Sequence, residues 1–261
     1  MPPDCSQRKK ALDWLVTGQE ALVQAFLSEI PVSDRLDDPW LLLIEGECYR
    51  HLRHYPEAAF CLEKALEHFE QRGIQAGSFA ACGDLMGLAW ERQNLEAFQQ
   101  WSDRAAKNLP AGTAFDQAEY YNNLACHELR SGQQAAAAKL WEKVLDLPQF
   151  QSLHIASIKQ FATLNLGVLA LEHGDLAIAE RRFSKVLALT EKQELRPSVR
   201  YGALLYLARI TFQRGELAAA QAMIATLPEA GDPYRKAEAH QLQAEISLAE
   251  SNLPDAERAI H

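Results

Sequence analysis

Residues 120–145 read YYNNLACHELRSGQQAAAAKLWEKVL. Apolar residues recur at helical spacing on both sides of Ser131-Gly132-Gln133, which is typical of two amphipathic helices joined by a glycine-containing turn. Residues 163–187 repeat the arrangement as TLNLGVLALEHGDLAIAERRFSKVL. The two stretches therefore predict two copies of one helix-turn-helix unit.

The same unit recurs along the chain. The position that begins its second helix falls at residues 55, 95, 134, 176, 217 and 253, so successive copies lie 36 to 42 residues apart. One such pair cannot bury its own apolar stripe and must stack on neighbouring copies. We predict a single all-α solenoid over residues 1–261, with a degenerate leading pair at 8–30 and further pairs at 39–69, 79–109, 118–147, 160–190, 201–227 and 234–261, the last incomplete.

Small residues occupy the positions where the two helices of a pair must approach closely. They are Gly46, Ala125, Gly167 and Ala208 in the first helices and Ala58, Ala137, Ala179 and Ala220 in the second. Larger side chains would separate the helices. Gly132, Gly174 and Gly215 lie where the first helix ends, and a left-handed cap there favours glycine.

This pattern resembles the tetratricopeptide repeat family over nearly the whole chain. The resemblance implies a right-handed superhelical α-solenoid of about seven helix pairs. The spacing is longer than the 34 residues typical of that family, and the proline that closes a repeat is clear only at Pro110. The longer spacing is similar to the tetratricopeptide regions of large bacterial ATPase transcriptional activators such as the maltotriose-responsive regulator.

The charge of the chain limits its partners. A formal net charge of −9 disfavours direct binding to nucleic acid or to an anionic membrane. No signal peptide or membrane-spanning stretch is present in the sequence, and the five scattered cysteines suit small buried residues in a reducing compartment. We expect a cytoplasmic protein, and self-association through an incomplete last pair is compatible with the pattern.

Binding in such an array is expected on the face formed by the first helices. Asn123 and Asn165 occupy equivalent positions there, and the resemblance implies that they clamp a peptide backbone; the alternative is that each bonds a neighbouring carbonyl. The predicted lining also contains Arg130 and Arg209 as anion-binding groups, Trp90, Phe161, Tyr206 and Phe212 as apolar contacts, and Asp84 and Glu47 at its N-terminal part. Each aromatic residue could instead pack between helices.

Catalytic motifs are missing from the sequence. There is no phosphate-binding loop, no nucleophile elbow and no cysteine with a supporting histidine. His51 and His54 have a spacing that can bind a metal, but no further ligand accompanies them. We therefore expect no enzyme activity, no metal and no cofactor.

Two functional hypotheses remain. In the first, the chain is the sensor or partner-binding segment of a longer multidomain bacterial transcriptional regulator, and it holds a peptide, a protein or a small effector. In the second, it is a free-standing adaptor or co-chaperone that scaffolds a protein complex.

Overall fold

The computed structural model of the chain describes residues 5–148, 153–192, 197–227 and 233–260. These residues form fourteen α-helices and one short 3-10 turn, and they contain no β-strand. The all-α prediction is therefore confirmed. None of the described helices is long and apolar enough to cross a lipid bilayer.

The helices follow one another with short connections. Their bounds are α1 (Cys5–Val16), α2 (Glu20–Ser28), α3 (Val32–Asp37), α4 (Pro39–His51), α5 (Tyr55–Gln71), α6 (Gln75–Glu91), α7 (Leu95–Asn108), α8 (Ala114–Arg130), α9 (Gln134–Asp146), α10 (Leu153–Glu172), α11 (Leu176–Lys192), α12 (Pro197–Gln213), α13 (Leu217–Ala225) and α14 (Pro233–Ile260). The 3-10 turn covers Leu109–Ala111.

Most of the turn positions found in the sequence begin a helix in the structure. They are Tyr55, Leu95, Gln134, Leu176 and Leu217, the first residues of α5, α7, α9, α11 and α13. Two features differ from the repeat pattern. The short helix α3 lies between the first two pairs, and α14 is one continuous helix where the sequence predicts a pair with a turn ahead of residue 253.

Contacts between the helices divide the chain into two compact units, Met1–Lys159 and Gln160–His261. In the first unit each helix from α4 to α9 packs against the next, and the first helices α4, α6 and α8 also contact one another in sequence. In the second unit α11 to α14 pack in chain order, and α12 also contacts α14. The single right-handed superhelix over the whole chain stays a prediction.

The close approach predicted at the small residues is confirmed where it can be measured. A Cβ atom added to Gly46 would lie 2.7 Å from the Leu62 side chain on the paired helix α5. A Cβ atom added to Gly167 would lie 2.6 Å from the buried Phe183 ring on α11. Ala125 and Ala137, which pair α8 with α9, are both fully buried.

The glycine turns are also confirmed. Gly132 has φ +78° and Gly174 has φ +81°, both in the left-handed region that favours glycine. After α8, the amide of Gln133 donates to the carbonyl of Glu128 at 2.8 Å, and the amide of Gly132 donates to that of Leu129 at 3.0 Å. This closing pattern satisfies carbonyls at the helix end and reverses the chain into α9.

Candidate functional site

Three carboxylates from three successive first helices meet in the first unit. Glu47 on α4, Asp84 on α6 and Glu119 on α8 each place a carboxylate oxygen within 4.8 Å of the others. Glu47 and Asp84 are buried, with 1% and 3% of their surface exposed. The two acidic residues predicted to line this face thus lie together.

Arg50 contacts Glu47 and Glu119 of these three residues, and it also contacts Glu91. Its Nε and Nη2 donate to the two carboxylate oxygens of Glu47, each at 2.8 Å, in a two-point contact. Its Nη1 donates to Oε1 of Glu91 on α6 at 2.5 Å, and its Nη2 lies 3.7 Å from Oε1 of Glu119. We call Glu47, Arg50, Asp84, Glu91 and Glu119 the charged cluster.

The pKa values of Arg50 and Glu91 differ from those of the same side chains in water. Burial opposes the charged form of Arg50, but the attraction and hydrogen bonding of Glu47, with Glu119 and Glu91, raise the Arg50 pKa well above its ordinary value. Burial raises the pKa of Glu91, while Arg50 acts in the opposite direction. Arg50 therefore stays charged, and Glu91 takes up a proton more readily than an exposed glutamate.

Asn123 lies beside the charged cluster on α8. Its Nδ2 atom is buried and finds no hydrogen-bond partner among the residues that the structure describes. A Cβ atom added to Gly87 on α6 would lie 3.5 Å from this Nδ2 and 3.6 Å from Nη1 of Arg50. Asn123 on α8 and Arg50 on α4 therefore both lie close to α6 at Gly87.

The register of the first helices explains why these residues meet. Glu47, Asp84 and Glu119 precede the first residues of α5, α7 and α9 by eight, eleven and fifteen residues. Each step of three or four residues is about one helical turn. The same displacement applies to Arg50, Gly87 and Asn123. They precede the first residues of α5, α7 and α9 by five, eight and eleven residues. Contacting residues on neighbouring first helices are therefore displaced by about one turn.

Sequence reasoning missed Arg50, Glu91 and Glu119. Equivalent positions in successive copies place Asp84, Asn123 and Asn165 in one row. The cluster is visible in the sequence as charged residues whose positions shift by about one helical turn from one copy to the next.

Trp90 and Arg130 form a contact of their own in the first unit. The Arg130 guanidinium lies 5.2 Å from the centre of the Trp90 ring, within the range of a cation–π interaction. The Trp90 ring also packs at 6.0 Å from Phe98. The predicted anion-binding role of Arg130 therefore competes with an aromatic contact in the same chain.

The remaining predicted residues lie in the second unit. Arg209 on α12 donates from Nη1 to Oε2 of Glu245 on α14 at 3.4 Å. The Tyr206 ring stacks on Phe183 at 5.3 Å, and its hydroxyl donates to Glu238 at 3.3 Å. Phe161, Tyr206 and Phe212 are partly buried against the apolar clusters of this unit, so packing engages all three aromatic rings. Asn165 lies on α10 and is partly exposed.

The two histidines considered as metal ligands point to different neighbours. His51 Nδ1 lies 3.6 Å from Oε1 of Glu20, and the His54 ring stacks on Tyr49 at 6.1 Å. Helix α4 ends at His51 and His54 lies in the turn before α5, so the predicted placement of both histidines on one helix is wrong.

No protein-family model matches the chain, and no curated protein matches it. The tetratricopeptide resemblance therefore rests on the repeat pattern and stays a prediction.

Proposed function

We propose that the chain is a non-catalytic binding module whose charged cluster and Asn123 hold a basic, extended segment of a partner protein. The observation that carries this proposal is the convergence of charged and polar side chains from α4, α6 and α8 on one buried place. Apolar side chains there would stabilise the fold as well or better, because burying charges carries a large desolvation cost. Such a cluster is better explained by binding than by folding.

The charges of the cluster favour a positive ligand. Four carboxylates surround the guanidinium of Arg50, and Arg53 also acts on Glu91, so carboxylates outnumber cations at the cluster. Glu91 and Glu119 keep 33% and 13% of their side-chain surface exposed, so the cluster is open to solvent on that side. A lysine or arginine side chain can approach there and would be attracted more strongly than in water.

Asn123 supports a peptide in particular. Its Nδ2 is a buried donor without a hydrogen-bond partner among the described residues, so a carbonyl oxygen of the bound segment would satisfy it. A peptide offers a carbonyl oxygen within a few ångströms of each side chain. A free metal ion or an amine would use the carboxylates and leave the Asn123 donor unused.

The finer assignments rest on the sequence alone. The role of Asn165, in the second unit, as a contact for a peptide backbone stays a prediction. The placement within a bacterial transcriptional regulator, and the alternative of an adaptor or co-chaperone, both stay predictions, as does the cytoplasmic location.

The proposal is tested with a fluorescent library of ten-residue peptides in which lysine, glutamate or serine is fixed at each position in turn. We expect the lysine pools to bind at least about tenfold more tightly than the glutamate pools. The double substitution Asp84→Asn/Glu119→Gln should remove most of that difference, and Asn123→Ala should weaken every bound pool.

A matched control is Glu63→Gln/Glu96→Gln, which removes the same formal charge from exposed positions on α5 and α7. It should change binding by less than about twofold. Circular dichroism verifies that each variant is folded. Equal binding of lysine and glutamate pools, binding by no pool, or equal losses in the two double variants would each reject the proposal.

A further inference from the structure

A second candidate site lies in the first unit as a cavity of about 370 Å³ between α3, α4 and α5. Its apolar lining comes from Val32 and Leu36 on α3, Tyr49 on α4, and Phe60 on α5. Cavities of this size are within the range that holds small molecules.

The cavity is separate from the charged cluster. Its α4 residues, Glu45 and Tyr49, are four positions apart and share one face of that helix, whereas Glu47 points to another face. A ligand in the cavity therefore contacts none of the side chains proposed to hold the partner segment.

The short helix α3 is explained poorly by folding alone. It interrupts the spacing of the helix pairs, and none of its six residues is fully buried. Leu36 packs partly against the core, but Val32 keeps 60% of its surface exposed. What α3 does provide is one wall of the cavity, through Val32, Arg35 and Leu36.

The mouth of the cavity exposes apolar surface. Phe60 on α5 is 57% exposed, and it lines the cavity together with the exposed Val32. Large apolar side chains grouped at a cavity in this way mark a binding surface more often than isolated ones do. An apolar ligand would remove both from water.

The polar groups of the cavity define the rest of the ligand. Arg35 Nη1 contacts Oε1 of Glu45 at 2.5 Å, which balances both charges. The Arg35 side chain keeps 18% of its surface exposed, and a guanidinium has five N–H donors, so donors besides the one bonded to Glu45 are left at the lining of the cavity. Glu57 and Lys64 act on the lining residue Cys61 with opposite signs, so their charges offset one another beside the cavity.

From this geometry we propose that the cavity binds a small, uncharged, largely apolar molecule that carries a hydrogen-bond acceptor oxygen. The apolar body packs on Tyr49 and Phe60, and the oxygen accepts from Arg35. The site does not depend on the partner segment, so either proposal can fail without the other.

The test uses benzamide, benzoate and benzylamine, three probes of similar size that are neutral, negative and positive at pH 7.5. Dissociation constants are measured by saturation-transfer NMR on the whole chain. We expect benzamide to bind about fivefold more tightly than either charged probe. The paired substitution Arg35→Met/Glu45→Met removes the donor without leaving an unpaired charge, and it should weaken benzamide binding about fivefold.

Phe60→Ser should weaken benzamide binding about fivefold, because it removes apolar surface at the mouth. The matched control is Leu95→Ser, which changes another half-exposed apolar residue of the first unit that does not line the cavity. Phe60 is exposed, so its loss leaves the core intact, which circular dichroism verifies. Benzoate binding as tightly as benzamide, or equal affinities in Phe60→Ser and the wild type, would overturn the proposal.

Discussion

Arg53 and Gln93 occupy the backbone position that glycine occupies in later turns of the chain. Their φ angles are +61° and +57°, in the left-handed region where Gly132 has +78°. A residue with a side chain pays about 1 kcal/mol for that conformation, and glycine does not. We expect Arg53→Gly and Gln93→Gly each to raise the free energy of unfolding by about 0.5–1 kcal/mol in urea denaturation.

The reverse change provides the control. Gly132→Ala should lower the free energy of unfolding by about 1 kcal/mol, because alanine must then adopt the left-handed conformation. A Gly132→Ala variant as stable as the wild type would contradict this account of the turns.

The buried thiols form a second prediction at this scale. Cys48, Cys61 and Cys82 are buried, and Cys126 is partly exposed. Burial raises the pKa of Cys48 to about 11, and that of Cys61, Cys82 and Cys126 to about 12. The reactive form of cysteine is the thiolate, which is scarce at pH 8 when the pKa lies so high. In a Cys5→Ser variant, Ellman's reagent should label the native protein at least about a hundredfold more slowly than the protein unfolded in urea. Rapid labelling of the native variant would show that these thiols are accessible and not buried.

At the scale of the helices, the sequence predicts most helix boundaries, because glycine and alanine occur where the backbone must turn or where two helices must pack closely. Gly132 and Gly174 end helices, and Ala137 and Ala179 allow close pairing, so each is visible without coordinates. The sequence did not predict α3, because six residues are too short for a helical period to stand out. Nor did it predict the continuity of α14, where Ser251 donates to the Ser247 carbonyl inside the helix.

The candidate site was predicted less completely than the helices. Glu47, Asp84 and Asn123 were found because each lies on the first-helix face of its own copy. Their partners Arg50 and Glu119 were not, because the one-turn displacement between neighbouring helices depends on how the helices pack.

The close approach of α4 and α5 leads to a prediction about helix pairing. Gly46→Ala places a methyl group 2.7 Å from the buried Leu62 side chain, and it should lower the free energy of unfolding by about 1–3 kcal/mol. Gly83→Ala is the control within α6, since no atom of the described residues beyond the local helix backbone lies within 4 Å of the added Cβ. That change should raise the free energy by about 0.5–1 kcal/mol, because alanine favours the helix. If both changes have the same sign in urea denaturation, the close approach is not what requires glycine at position 46.

At the scale of the whole molecule, electrostatics connects the net charge of −9 to the proposed basic partner. The overall charge attracts a basic segment over a distance that salt shortens, whereas the charged cluster acts at contact. Raising the salt concentration from 0.05 to 0.5 M, roughly a threefold reduction of the screening distance, should slow association of a lysine-containing peptide more than it speeds dissociation. Stopped-flow fluorescence measures both rates.

The pH dependence of binding then distinguishes the cluster from the overall charge. Burial raises the pKa of Glu91. As pH falls, Glu91 therefore gains a proton at a higher pH than an exposed glutamate does, and the cluster then loses one negative charge. Affinity for a lysine-containing peptide should therefore begin to fall at a higher pH than an exposed glutamate would produce. The bound cation favours the charged carboxylate, so binding in that range should release protons from Glu91. Glu91→Gln should bind more weakly at pH 7 and show a flatter profile, whereas Glu63→Gln, at an exposed position on α5, should keep the wild-type profile. Calorimetry in two buffers of different ionisation enthalpy measures the proton release, and an unchanged pH profile in Glu91→Gln would mean that the cluster does not hold the cation.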